Sequence, residues 1–336
     1  MSSFRPAAAG AGLAALLLAC SACATGTAAD QGAASAPRPS ATATAQAATA
    51  YTPYVSATDA ADTDAAGSPD TYDLAFVVAG GGGCTPLWGG SAAATDPAVV
   101  SRVAALTASG ADIRVSFGGA AGTEAALACD SAQELADVYG EVLDAVGATK
   151  ADFDIEGDAL TDTPSVTRRN EALHLLQQER DLDVTYTLPV MPDGLEASGT
   201  AVLDDAVARG VEVSAVNIMA MNYSSSHDGD MSDYAQQAAS AAHDQIADVL
   251  ALSDAEAWRA LHITVMIGVN DVAGETFTLA DAASLRSFAR RQGVGALSLW
   301  AAFRDRACTG EDTSKAADTC SGVEQEDGAF AEALNG

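Results

Sequence analysis

Positive charge is scarce in this chain of 336 residues. Its 16 lysines and arginines stand against 46 aspartates and glutamates, so the formal net charge is −30. The phosphate backbone of a nucleic acid and an anionic membrane surface would both repel such a chain, and we therefore expect no nucleic-acid partner. A neutral substrate fits this composition better. Hydrophobic residues make up 49% of the chain, which is ample for a core.

Motifs for metals, phosphates and serine nucleophiles are also lacking. The four histidines are scattered without ligand spacing, and no Ser-His-Asp order with a nucleophile elbow is present. The glycine run AGGGGC, residues 79–84, lacks the Lys and Ser/Thr of a P-loop and the spacing of a dinucleotide fingerprint. It predicts a flexible loop at the rim of the fold. We therefore expect no metal and no organic cofactor, and we note His227 as a candidate contact with substrate.

The N-terminus has the features of an export signal, which we assign to residues 1–20. A single Arg5 precedes the apolar run AGLAALLLAC, which is shorter than the ~20 residues needed to span a bilayer. The letters LLAC, ending at Cys20, resemble a bacterial lipobox, in which Cys20 would be acylated and become the mature N-terminus. Plain secretion with cleavage nearby is the alternative. Either way the protein is expected to be extracellular, secreted or tethered to the outer face of the cell membrane.

The remaining chain divides into a linker and one folded domain. Residues 21–49 are mostly Ala, Thr, Ser, Gly and Pro, and they cannot bury enough surface to offset the entropy of ordering. Residues 50–336 form the domain, which we expect to be monomeric. With Cys20 and Cys23 assigned to the signal and tether, an even number of cysteines remains, which indicates disulfides in an exported chain. Of the three possible pairings we expect Cys84 with Cys129 and Cys308 with Cys320.

Short β-rich apolar runs alternate with segments of helical period through this domain. Such alternation implies parallel strands with crossover helices, and eight units close into a (β/α)8 TIM barrel of ~250 residues. A doubly wound open sheet is the alternative, but it calls for a phosphate-binding glycine loop at its first turn. Helices are predicted over 97–108, 131–146, 202–208, 234–252 and 279–291, and the gap 58–71 is the weakest. Strands are predicted to begin at Pro53, Asp73, Asp112, Asp152, Val184, Val216, Ile263 and Ala296.

The fourth strand, in ADFDIEG (151–157), carries an unusual acidic pattern. Alternate side chains of a strand share a face, so Asp152, Asp154 and Glu156 point into the barrel while Phe153 and Ile155 point outward. Like charges ~7 Å apart in a dry interior cannot all stay ionised. We therefore expect at least one proton near neutral pH, with Glu156 at the rim as proton donor. An exposed acidic edge strand and a calcium ligand set are the alternatives, although the glycine and distal glutamate of an EF-hand loop are absent.

This strand resembles the signature of the glycoside hydrolase family 18 chitinases, D-G-x-D-x-D-x-E. The last three acidic positions match, whereas Thr149 and Lys150 replace the initial Asp-Gly. Further segments resemble the same family in the right order along the chain: SFGG (116–119), YTLPVMPDGL (186–195), MAMNY (219–223) and LSLWAAFRDRAC (297–308). Asn222 stands where the family commonly has Asp. The resemblance covers about residues 51–320.

The resemblance implies retaining hydrolysis of β-1,4-linked N-acetylglucosamine polymers, most simply chitin or chitooligosaccharides, with the substrate's acetamido group as nucleophile. It implies Glu156 as acid and base, Asp154 as the group that orients the acetamido N–H, with Asp152 sharing a proton with it, and Tyr223 as donor to the acetamido oxygen. Trp300 would form the sugar floor. Substrate contacts are further implied for Asn222, Ser116, Met219 and Met221, and Ser116 is also expected to support Asp152 by hydrogen bonding. An endo-β-N-acetylglucosaminidase acting on N-glycans, and a non-catalytic chitooligosaccharide-binding protein, are the alternatives.

We predict that the exported protein begins at an acylated Cys20. Intact-mass measurement and palmitate labelling of the expressed full-length chain check this, and a Cys20→Ala variant is the control that should lose the label. An unmodified Cys20 would remove the anchor and leave plain secretion.

Overall fold

The computed structural model describes residues 48–310, 313 and 315–336. The export signal, Cys20 and all but the last two residues of the predicted linker lie outside the described residues. Eight parallel strands form the centre of the fold. They are β1, in two segments (Ala50–Tyr51 and Tyr54–Ser56), β2 (Thr71–Gly80), β3 (Asp112–Gly118), β4 (Lys150–Asp154), β5 (Asp183–Met191), β6 (Ala215–Met219), β7 (Leu261–Met266) and β8 (Ala296–Trp300).

The eight strands close into a ring. Hydrogen-bonded neighbours run from β2 through β3, β4, β5, β6 and β7 to β8. The two segments of β1 join the ends, because Ala50 pairs with Ala296 of β8 and Tyr54 pairs with Asp73 of β2. This closure confirms the predicted TIM barrel, and the doubly wound open sheet is wrong.

Helices cover the outside of the barrel. They are α1 (Pro97–Leu106), α2 (Ala125–Ala128), α3 (Ala132–Val146), α4 (Asp158–Thr161), α5 (Thr163–Glu179), α6 (Ala197–Arg209), α7 (Met231–Leu250), α8 (Asp254–Ala260), α9 (Leu279–Gln292) and α10 (Ala329–Asn335). The five predicted helices correspond to α1, α3, α6, α7 and α9, and no helix occupies the weak gap 58–71. Within the described part of the chain, no helix is both long and apolar enough to cross a bilayer.

The helix α5 has no counterpart among the predicted helices, and its buried face explains why. Arg169 and Asn170 are fully buried on that face. Arg169 pairs with Glu124 at 2.9 Å, and Asn170 donates to Asp205 at 2.9 Å. Polar residues on the core side interrupt the apolar period from which a helix is predicted.

The acidic strand has the predicted two faces. Asp152 and Asp154 are buried inside the barrel. On the outer side, Phe153 stacks on Phe117 with ring centroids 5.4 Å apart and meets the edge of Tyr139 of α3 at 5.0 Å. The apolar alternation therefore anchors β4 beneath a helix and fixes which side chains face inward.

Short antiparallel hairpins extend the barrel beyond the ends of β2, β5 and β7. Their strands are Thr85–Trp88 and Ala92–Ala93, Gly194–Leu195, and Gly268–Val269 with Thr276–Phe277. The glycine run lies in the turn between β2 and Thr85–Trp88, where a loop was predicted. Both expected disulfides are present: the Cα atoms of Cys84 and Cys129 are 4.6 Å apart, and those of Cys308 and Cys320 are 5.1 Å apart.

The glycines of SFGG allow β3 to approach β4 closely. Gly118 has φ of +100° and pairs in register with Asp154. A Cβ at Gly118 would collide with the carbonyl oxygen of Asp154. The same oxygen accepts the N–H of Gly119 at 3.0 Å. A side chain at residue 118 would therefore displace Asp154.

We expect Gly118→Ala to lower the free energy of unfolding by about 2–4 kcal/mol, because it adds a collision to an unfavourable φ. Gly110→Ala is the matched control, since Gly110 has φ of +94° but open space around the position of a Cβ. This control should cost about 1 kcal/mol of strain. Denaturant unfolding of both variants gives the comparison, and equal losses would contradict the importance of the close approach.

Candidate active site

A cleft of about 320 Å³ opens at the carboxyl ends of the barrel strands. Barrel enzymes carry their active sites at this end. Two kinds of side chain line the cleft. Carboxylates come from β4, from the residues just after it and from the loops after β5 and β7, and aromatic rings from β8, β1 and β2 contact one another to form its aromatic side. The carboxylates are Asp154, Glu156, Glu196 and Asp271, and the rings are Trp300, Tyr54 and Phe76.

Below the cleft, Asp152 is surrounded by hydroxyl donors. Thr187 donates to it at 2.6 Å, Tyr54 donates at 2.9 Å, and Ser116 makes a further short hydrogen bond. The amide of Asn217 in turn donates to Thr187 at 2.9 Å. Ser116 and Thr187 come from the two strands that flank β4, and Tyr54 comes from β1, so closure of the barrel creates a polar layer that no single strand could supply.

A buried ion pair lies one layer deeper. Arg114 of β3 contacts Asp73 of β2 with N and O atoms 2.8 Å apart, and both side chains are almost fully buried. The guanidinium also acts on Asp152, opposing the rise of its pKa. The alternation that places Ser116 inside the barrel places Arg114 there too. We call Asp152, Asp154 and Glu156 the acidic column. The buried cation Arg114 lies beneath this column.

The three carboxyl groups differ in what offsets their burial. Burial raises the pKa of Asp152, but its hydroxyl donors and Arg114 oppose this rise. Burial raises the pKa of Asp154 well above its usual range, and the charges of Glu156 and Asp152 add to the increase with no opposing donor. Burial also raises the pKa of Glu156, with a further contribution from Asp271, while a hydrogen bond from Asp154 lowers it.

The direction of these shifts favours a proton on Asp154, which donates a hydrogen bond to Glu156. The resemblance implied that Asp152 and Asp154 share a proton, and this stays a prediction. The charge of Asp152 contributes to the raised pKa of Asp154, while the oxygens of Asp152 accept hydrogen bonds from Ser116, Thr187 and Tyr54.

The aromatic side is built around Trp300. Phe76 stacks on its indole with ring centroids 5.4 Å apart, and Tyr54 meets it edge-on at 5.7 Å. Trp300 lines the cleft as predicted. Sequence analysis missed Phe76 and Tyr54 as site residues, although both lie in predicted strands. The missing information was their closeness to Trp300, which depends on closure of the barrel.

Four of the six methionines line the cleft. Met219 and Met221 were predicted there, whereas Met191 and Met266 were not. Their flexible thioethers give this part of the wall an apolar surface that adapts to the shape of a ligand.

Ser116 does not line the cleft. It is fully buried and bonded to Asp152, so the geometry assigns it to supporting that carboxylate. The expected hydrogen bond from Ser116 to Asp152 is confirmed, whereas Ser116 is not among the residues that line the cleft, where a substrate contact was also expected.

Asn222 lines the cleft, but its amide is engaged with the loop after β7. Its Oδ1 accepts the N–H groups of Asp271 and Val272 at 2.9 and 3.2 Å. Its Nδ2 donates to the Asp271 carboxylate at 3.1 Å. The amide therefore holds a second site residue, which no sequence pattern indicated.

Tyr223 is buried at the end of the β6 segment, and burial with the charge of Glu275 raises the pKa of its hydroxyl well above the usual range. Its ring packs against His227 and Tyr234 at centroid distances of 5.8 and 6.1 Å. His227 bonds to Ser224 at 2.8 Å and is not among the residues that line the cleft. We therefore interpret His227 as packing behind Tyr223.

Oδ1 of Asp154 and the hydroxyl of Tyr223 are buried and have no hydrogen-bond partner in the described part of the chain. Asp154 lines the cleft, whereas Tyr223 is not among the residues that line it. Buried polar atoms without partners are costly, so the unpaired atom of Asp154 in the wall of the cleft indicates a place for a ligand group. One atom can accept a hydrogen bond and the other can donate one.

Potential metal ligands form one compact group in the described part of the chain: Cys84, Cys129 and Glu134. Both sulfur atoms belong to the disulfide. This donor set therefore does not fit a metal ion.

Comparison with known proteins agrees with this geometry, although no protein-family model matches the chain. The chain is 34% identical over 275 residues to a probable bifunctional chitinase/lysozyme of Escherichia coli K12, covering 76% of this chain and 31% of that protein. It is also 34% identical over 248 residues to Endochitinase 11 of Metarhizium anisopliae, covering 70% of this chain and 47% of that protein. The chain thus spans about a third and about half the length of these relatives.

Among solved structures, the catalytic domain of the hyperthermophilic chitinase from Pyrococcus furiosus superposes with a TM-score of 0.75 at 28% identity. The match covers 86% of this chain and 95% of that domain. The shared barrel, the acidic column and these relatives lead to one assignment. The chain belongs to glycoside hydrolase family 18, the chitinase family that its sequence resembles.

Proposed function

We propose that the protein hydrolyses β-1,4-linked N-acetylglucosamine polymers, with chitin and chitooligosaccharides as substrates. The observation that carries this proposal is the unpaired Oδ1 of Asp154 in the wall of a cleft that Glu156 and Trp300 also line. The hydroxyl of Tyr223, which lies outside that lining, is likewise buried and unpaired. An acetamido group has one N–H donor and one carbonyl acceptor. These two atoms complement it, since Asp154 can accept from the N–H and Tyr223 can donate to the carbonyl oxygen.

The proposed reaction uses this acetamido group as nucleophile. Held between Asp154 and Tyr223, its oxygen is aligned for attack on the anomeric carbon, and an oxazolinium ion forms as the glycosidic bond breaks. The sugar then leaves the site with its original anomeric configuration, because two successive displacements invert the carbon twice.

Glu156 supplies the proton in this scheme. Its carboxyl group lies at the mouth of the column, and burial raises its pKa in the direction that favours the protonated acid. The acetamido N–H competes for Asp154, which lets the proton shared by the two carboxyls reside on Glu156. Glu156 then protonates the glycosidic oxygen, and as a carboxylate it activates the water that opens the oxazolinium ion.

The aromatic side supports binding of the sugar. The Trp300 indole is held by Phe76 and Tyr54 and can cover the apolar face of a pyranose. The carboxyl groups then face the polar edge of the same ring.

We further propose that the protein acts outside the cell, secreted or held at the membrane by Cys20. The two disulfides support this compartment, because disulfides persist in oxidising surroundings. The retained acid Glu156 favours hydrolysis over the alternative of a sugar-binding protein.

We expect Glu156→Gln to reduce turnover of a chitin hexamer by about 10²–10⁴-fold, because the amide cannot donate an acidic proton. Binding of the hexamer, measured by calorimetry, should persist. Glu141→Gln, an exposed change on α3, is the matched control and should retain full activity. Persisting turnover in the Glu156 variant would refute the assignment of the donor.

The products of the hexamer test the substrate class. Shorter oligomers that appear first as the β-anomer, followed by mass and anomeric form, are the expected result. A fully deacetylated hexamer should not be cleaved, because it lacks the nucleophile. Cleavage of a high-mannose glycopeptide without cleavage of the hexamer would instead favour an endo-β-N-acetylglucosaminidase.

Tyr223→Phe should separate stability from activity. Removing a buried hydroxyl that has no partner should raise the free energy of unfolding by about 1 kcal/mol. Loss of the donor should lower kcat by about 10²-fold. Denaturant unfolding and steady-state kinetics on one preparation check both. A variant that is less stable and fully active would contradict the proposed role.

A further inference from the structure

Beside the cleft, two loops of the barrel are joined by reciprocal hydrogen bonds, in which a side chain of each loop bonds to the backbone of the other. We define the β6 loop as residues 220–224 and the β7 loop as residues 267–277. The β6 loop contributes Asn222, whose Oδ1 accepts the N–H groups of Asp271 and Val272. The β7 loop contributes Glu275, whose Oε1 accepts the N–H of Ser224 at 3.0 Å. Each loop therefore holds the backbone of the other.

These reciprocal hydrogen bonds have a defined local geometry. Asn222 has φ of +55°, a left-handed conformation that asparagine tolerates better than most residues. The β7 loop is also held from within, because Asn270 donates to the carbonyl oxygens of Met266 and Gly268 at 2.8 and 3.0 Å. Glu275 is buried, so the return contact is shielded from water. The position of Asp271 is thus fixed from several directions.

Asn222 also holds the side chain of Asp271. Its Nδ2 donates to Oδ2 of Asp271 at 3.1 Å, while its Oδ1 serves the loop backbone. An amide can donate and accept at once, whereas a carboxylate can only accept. An aspartate at residue 222 would place a second negative group against Asp271. The amide is therefore the side chain that this arrangement requires.

We propose that Asp271 is a positioning residue of the active site, held by Asn222 so that its carboxylate lines the same cavity as Glu156 and acts on it through its charge. Asp271 and Glu156 line the same cavity from different loops. The structural part of this proposal is independent of the substrate, and the kinetic part rests on the proposed function. Its consequence is that Asp271 helps to retain the proton of Glu156.

The charged surroundings of Glu156 are consistent with this role. Asp154 lies beneath it, Asp271 lines the cleft from the β7 loop, and Glu196 lines the cleft from the loop after β5. The cation that interacts with Asp271 is Arg304, which is buried and donates to the carbonyl oxygens of Ala317, Trp300 and Val269. Arg304 keeps its positive charge, but it does not line the cleft, and these hydrogen bonds go to the backbone. The charge of Asp271 raises the pKa of Glu156 in its presence.

The direction of the effect follows from charge. The carboxylate of Asp271 disfavours a second negative charge on Glu156 and so raises the pKa of Glu156. Removing that carboxylate should lower this pKa. The alkaline limb of the kcat profile, where the acid loses its proton, should then move to lower pH.

A swap of the two side chains tests the proposal. The variants are Asn222→Asp, Asp271→Asn and the double variant that carries both changes. The double variant restores one amide facing one carboxylate, with the carboxylate now at residue 222. Asp228→Asn is the control: Asp228 is an exposed carboxylate near Gly274 of the β7 loop and does not line the cleft.

Thermal unfolding of the four variants and the parent protein measures the pairing without reference to any activity. Asn222→Asp should lower Tm the most, because two carboxylates then meet. The double variant should recover most of the loss, so the two changes should be far from additive. Additive changes in Tm would overturn the pairing, whether or not the protein cleaves chitin oligomers.

The pH profile of kcat on the chitin hexamer measures the effect on Glu156. Asp271→Asn should move the alkaline limb down by about one pH unit, as loss of a neighbouring like charge does. Asn222→Asp should move it up, and Asp228→Asn should leave it in place. An alkaline limb that stays fixed in Asp271→Asn would overturn the positioning role. An inactive parent protein would instead count against the proposed function, with the Tm result still standing.

Discussion

Burial of acidic side chains in one strand is the constraint on which the rest of the site depends. Asp152 and Asp154 lie in the dry interior of the barrel and Glu156 at its mouth, and the interior cannot hold several uncompensated charges. Arg114 and three hydroxyl donors offset Asp152, while nothing comparable offsets Asp154. The pKa shifts therefore favour a proton on the pair Asp154 and Glu156, which lies nearer the mouth of the cleft. The chemistry of the cleft is set by what lies beneath it.

The barrel makes this distribution possible because its closure brings hydroxyl donors from three other strands to the level of Asp152. Thr187 of β5, Tyr54 of β1 and Ser116 of β3 all reach Asp152. Gly118 lets the backbone of β3 close on that of β4. The loops then add what the strands cannot, since Asn222 and Asp271 meet only because both loops rise at the same end of the ring. The strands thus provide the groups that shift the pKa values of Asp152 and Asp154, and the loops provide the groups around Glu156.

The sequence predicted the barrel and the acidic column because both depend on periodicity. Alternation in β4 predicts which residues face inward, and the same alternation in β3 places Arg114 and Ser116 beside them. Contacts between distant loops have no such period, so the pairing of Asn222 with Asp271 could not be predicted. Helix α5 escaped prediction for a related reason, because Arg169 is buried where an apolar residue is usual. Polar contacts between residues far apart in the sequence can therefore be identified only once the fold is known.

The methionine wall of the cleft has a chemical consequence of its own. Four thioethers surround the place proposed for the sugar, and three of them are only half-buried. Peroxide converts a thioether into a polar sulfoxide, which would make this apolar surface polar without unfolding the barrel. The oxidising compartment proposed for this protein would therefore also limit the lifetime of the cleft. Oxidation of methionine would therefore affect the binding surface of the cleft before it affects the buried core.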